Sequence, residues 1–80
     1  MSWNVDYARA YIAWFTHAAP DDATMTAVTL WVELAIANGP PDDAALVYGD
    51  LYTAIVPDVG VRVNFLAIMQ DRSMIVKEFR

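Results

Sequence analysis

The chain has 80 residues, room for one small domain, and no cysteine, which excludes disulfides, thiolate catalysis and Cys-ligated zinc. Hydrophobic residues make up 58% of it, above the roughly 45–50% of ordinary soluble domains, so apolar surface is expected to be left over for a partner. No apolar run approaches the roughly 18 residues a membrane span needs, and Met1 to Asp6 lacks a basic stretch followed by an apolar one. A cytoplasmic location without membrane contact is expected.

The net charge is −5, which argues against nucleic acid as a ligand of the whole surface. The charge is unevenly spread. Up to Gly60, Arg9 is the single cation against eight carboxylates, whereas Arg62, Arg72, Lys77 and Arg80 then face only Asp71 and Glu78.

From Ser2 to Tyr7, Trp3, Val5 and Tyr7 alternate with polar residues, which predicts a short half-buried strand. Tyr7, Ala10, Tyr11, Trp14 and Phe15 then follow helical spacing, predicting a helix over Tyr7 to His17 that ends at Ala18-Ala19-Pro20. Asp21 or Asp22 can cap a second helix, expected over Asp22 to Asn38 with Met25, Val28, Val32, Ala35 and Ile36 as its apolar stripe. Asn38-Gly39 supplies its end, and Pro40-Pro41 cannot continue it. Leu30, Trp31 and Leu34 lie off the centre of that stripe and are expected to form an exposed contact site. Pro40 to Asp50 has no periodicity and reads as a connector. Three strand-like runs follow, Leu51 to Val56, Val61 to Ile68 and Met74 to Phe79, separated by the turns Pro57-Asp58-Val59-Gly60 and Gln70-Asp71-Arg72-Ser73.

The order is therefore β-α-α-β-β-β: an α+β domain with a helical hairpin packed on a four-stranded antiparallel sheet. Trp14, Phe15, Val28, Val32, Val63, Phe65 and Ile75 are expected in its core.

This order, with the opening Trp3-Asn4-Val5-Asp6-Tyr7, the helix ending Ala35-Ile36-Ala37-Asn38-Gly39-Pro40-Pro41, the strand opening Asp50-Leu51-Tyr52, Val61-Arg62-Val63 and the closing Ile75-Val76-Lys77-Glu78-Phe79-Arg80, resembles the RelE/ParE toxin superfamily, including its HigB-like toxins. The resemblance covers nearly the whole chain. It implies a toxin that cuts messenger RNA on the ribosome or inhibits gyrase, silenced by a partner antitoxin. It also implies functional roles for Arg62, entering the central strand, and for Lys77 and Arg80 on the last one.

Metal-free RNA cleavage needs cations that stabilise charge on the phosphate and a group that moves protons. Arg62, Lys77 and Arg80 could supply the first, and Tyr52 or His17 the second. The family's ribonucleases often carry an arginine where this chain has Ala54, Ile55 and Val56, and the sequence ends at Arg80, ahead of the segment that often holds a catalytic aromatic or histidine. Little nuclease activity is expected. Arg62, Lys77 and Arg80 are instead expected to form a basic patch that binds a target without cutting it efficiently.

His17 is expected to sit at a helix C-terminus, where a cation meets the dipole favourably. Asp21-Asp22 and Asp42-Asp43 follow proline and read as caps and solvated groups rather than metal ligands, so neither metal nor cofactor is expected. Trp3, Trp14 and Trp31 have few neighbouring cations and read as core or interface anchors rather than a base-stacking platform. The partner classes are thus an antitoxin or host target, or a second copy of the chain. The alternative to a toxin is a non-catalytic acidic inhibitor of phage or mobile-element origin that binds and blocks a host protein.

Overall fold

Alternating and helical apolar spacing sort the chain into two helices and five strands. The computed structural model describes residues 3–34, 37 and 39–80, with β1 (Asn4–Asp6), α1 (Ala8–Ala18), α2 (Asp22–Leu34), β2 (Ala45–Tyr48), β3 (Leu51–Ile55), β4 (Arg62–Ile68) and β5 (Ser73–Phe79). Ser2, Ala35, Ile36 and Asn38, which the sequence reading assigns to the first strand and to the end of the second helix, lie outside the described residues.

The sheet order is β1-β5-β4-β3-β2. It is mixed rather than antiparallel, because β1 pairs parallel to β5 through Asn4–Ser73, Val5–Met74 and Asp6–Ile75, while the other neighbours are antiparallel. The helical pair carries the chain from β1 at one edge of the sheet toward β2 at the other, and everything between β1 and β5 connects the parallel pair, well beyond the crossover length that parallel strands need. The connector also holds a strand that the sequence reading lacks. Ala45–Tyr48 pairs with β3, with Val47 as an extra residue between the Leu46–Tyr52 and Tyr48–Leu51 pairs. All four of its residues are exposed, so it shows no alternation between buried and solvated positions.

The end of α1 and the start of α2 each have a local cause. Ala19 adopts the left-handed conformation (φ 45°) and donates its N–H to the Phe15 carbonyl at 3.1 Å, closing α1. Asp21 Oδ1 accepts the Thr24 N–H at 2.8 Å, satisfying a free donor in the first turn of α2. Hydrogen bonds from Thr24, its side chain first and its backbone second, hold the Asp21 carboxyl below the usual carboxylate range.

Both helices cover one face of the sheet. Trp14, Val28 and Val32 from the helices meet Val63, Phe65, Met74 and Val76 from the sheet, as the apolar spacing predicts for five of the seven expected core residues. Tyr52 stacks on Phe65 across β3 and β4, with centroids 5.7 Å apart and planes 10° from parallel.

Three residues are placed otherwise. Trp31 is buried at 8% exposure, not exposed, because it lies only about 60° around the helix from Val28 and its ring reaches the core beside Val28 and Val32. Phe15 is 50% exposed: Trp14 takes the place over Phe79, with centroids 5.7 Å apart, and the next residue lies about 100° further round the helix. Ile75 is half-buried on the opposite face, since Met74 and Val76 point to the helices and side chains alternate along a strand.

Among the described residues that opposite face carries no helix. Across it the register aligns Tyr48, Leu51, Leu66 and Ile75 in one row over four strands.

Candidate functional site

β5 is paired along its whole length to β4, but β1 covers its other side only as far as Ile75. Beyond that point α1 takes the place of a strand. Aromatic packing holds it there: Tyr11 and Trp14 lie 6.1 and 5.7 Å from Phe79, ring to ring, and 5.6 Å from each other. Between α1 and the last residues of β5 runs an open cleft of about 530 Å³, with Ala10, Ala13 and Trp14 as its apolar wall and His17, Lys77, Glu78 and Arg80 as its polar one. A recess of about 610 Å³ continues it along Ala13 and Lys77 toward Asp6 and Arg9.

The cations arrive there for identifiable reasons. Arg9, Ala13 and His17 are spaced by four and so share one side of α1. Lys77 is the extra residue of a bulge, because Asn64 pairs with Glu78 while Phe65 pairs with Val76. The bulge leaves Lys77 exposed at the sheet margin, where it lines the cleft, the recess and a shallow depression of about 340 Å³ on the helix-free face.

Arg80 makes an ion pair with Glu78, Nε to Oε2 at 3.1 Å, and both side chains are well exposed. Glu78 Oε1 also accepts a hydrogen bond from Asn64 Nδ2 at 2.9 Å. Arg62 stands elsewhere. Its guanidinium Nη1 donates to Thr53 Oγ1 at 3.2 Å on the helix-free face, and it does not line the cleft.

Of the residues singled out in the sequence, the structure thus brings together Lys77, Arg80 and His17. Arg62 borders this group through the backbone only, since its N–H and carbonyl pair with those of Arg80. Tyr52 faces the core against Phe65 and takes no part in the cleft. Leu30 and Leu34 are 50% and 72% exposed, and with Trp31 they line a separate depression of about 450 Å³ beside Val56, Pro57 and Asp58. Arg9 was not singled out, although its spacing from His17 on one helix was a signal that could have found it.

Chemically, the cleft can bind an anion through Lys77 and Arg80 and can move a proton at His17. Among the described residues no group of His, Asp or Glu has the arrangement of a metal site. No helix of the structure is long and apolar enough to cross a membrane. No family model, curated protein or solved structure matches the chain.

Proposed function

We propose that this chain is a RelE/ParE-like toxin-type protein that inhibits a host process in the cytoplasm, translation or gyrase, by binding its target, and that a partner antitoxin neutralises it. One observation carries the reading: in a chain with a net charge of −5, His17, Lys77 and Arg80 line a single cleft and Arg9 its continuation. Glu78, paired to Arg80, and Asp6 line the same surface, so Lys77 is the cation it leaves most available to a phosphate or carboxylate. The strand, helical pair and antiparallel hairpins agree with the α+β class that the resemblance implies, while β2 and the parallel β1–β5 pair depart from the four-stranded antiparallel sheet expected from it.

Binding is favoured over cutting because Arg62 and Tyr52 lie outside the cleft, leaving His17 without an assembled partner of the kind that acid–base cleavage requires. Induced expression in a bacterial host tests the reading. Growth should arrest, the double variant K77E/R80E should relieve the arrest, and the transcript ends should remain those of uninduced cells. Harmless expression would remove the toxin reading. Discrete cleavage that depends on His17 would restore a nuclease.

A second reading, a non-catalytic acidic inhibitor of phage or mobile-element origin, is favoured by Leu30 and Leu34, which extend an apolar surface outside the cleft. L30E/L34E would then abolish the effect on growth while K77E/R80E would not.

A further inference from the structure

The far edge of the sheet is as distinctive as the cleft. β2 is the last strand in the order, and among the described residues its outer side has no strand partner. Natural edge strands are commonly protected by charge, proline or a covering element. Here Leu46, Val47 and Tyr48 are 58%, 52% and 71% exposed, with no charged residue between Ala44 and Gly49. The protection is displaced to the two ends, where Asp42 and Asp43 precede the strand and Asp50 follows it, all exposed.

That arrangement selects among occupants. If two copies joined antiparallel through β2, centred between Leu46 and Val47, Asp43 of each would stand opposite Asp50 of the other, and directly opposed like charges are destabilising in a sheet. A strand with basic ends meets the same carboxylates as attractive pairs. The added strand would also continue two apolar surfaces that now stop at the edge: the row Ile75, Leu66, Leu51, Tyr48 on the helix-free face, and Leu46 beside Tyr52 on the other.

We infer that β2 is a docking edge for an extended segment of another protein, about four alternating apolar residues flanked on both sides by Lys or Arg, which adds as a sixth strand. This edge lies at the opposite margin of the sheet from the cleft, and the inference stands independently of the toxin reading.

A synthetic peptide, Lys-Arg-Val-Thr-Val-Tyr-Arg-Lys, titrated into the isotopically labelled protein at low salt, tests it. Its amide signals should shift at residues 45–48, and binding should exceed that of the same core flanked by Glu and Asp by about tenfold or more. Binding should weaken about tenfold in D42N/D43N/D50N, whose exposed substitutions leave the core untouched. Three results would overturn the inference: no binding, equal binding of the acidic peptide, or shifts confined to other strands. Sedimentation showing a dimer that is lost on Val47→Lys would overturn it too, by making a second copy the occupant.

Discussion

Arg62 and Arg80 face each other across β4 and β5 as a hydrogen-bonded pair, Arg80 donating its N–H to the Arg62 carbonyl at 2.8 Å and Arg62 returning the bond at 3.4 Å. From that shared backbone pair the two guanidinium groups take different partners. Glu78 holds Arg80 with one oxygen and Asn64 with the other, while Thr53 draws Arg62 toward β3.

Glu78→Gln should therefore destabilise the fold slightly, by about 0.5–1 kcal/mol, because all these groups are partly solvated. For a domain of this size the melting temperature should fall by about 2–8 °C. Calorimetry at low and high salt is the check: the difference should shrink as salt screens the Arg80–Glu78 ion pair.

Phe65 has no solvent exposure and stacks on Tyr52. Phe65→Ala should cost about 3–5 kcal/mol, measurable as a lower midpoint in urea with an unchanged slope. Phe15→Ala, at a half-exposed position, should cost well under half of that.

Gly39 is buried with φ at +117°, and a Cβ there would lie 3.2 Å from the Trp3 indole nitrogen. Gly39→Ala should destabilise by more than about 1 kcal/mol through backbone strain and displacement of the ring. The displaced indole should also change the tryptophan fluorescence of the folded state. A variant with wild-type stability and spectrum would show that Trp3 does not rest on Gly39.

The Asp21 cap gives a signed pH dependence. Its carboxyl titrates lower in the folded chain than its ordinary value of 3.8, so the folded state holds the proton less tightly than the unfolded one. The stabilisation is present above that ordinary value and is lost as pH falls through the lower, folded one. The stability difference between wild type and Asp21→Ala should be constant near neutrality and shrink in acid, as denaturation at a series of pH values can show.

Much of the architecture was legible because its causes are local. Trp14, Val28, Val32, Val63 and Phe65 follow the period of their elements, and the turns at Pro57–Gly60 and Gln70–Ser73 carry their own chemistry. β2 was not, since four exposed residues show neither alternation nor a buried face, and only pairing with Leu51, Tyr52 and Thr53 defines them as a strand. Trp31 escaped because a centred stripe ignores how far an indole reaches sideways. Of the cleft, Lys77 and Arg80 were visible as late cations in an acidic chain, but their meeting with His17 depends on α1 lying beside β5, a relation that no spacing within either element encodes.

The parallel pairing of β1 with β5 joins the first strand of the chain to the last. As a ribosome makes this protein, Val5 and Trp14 emerge well before their counterparts Met74 and Phe79. Such distant pairings slow folding, because a long loop must close before any contact rewards it. The cleft beside Phe79 forms only with that closure, so the two walls of the candidate site come from segments that fold together last.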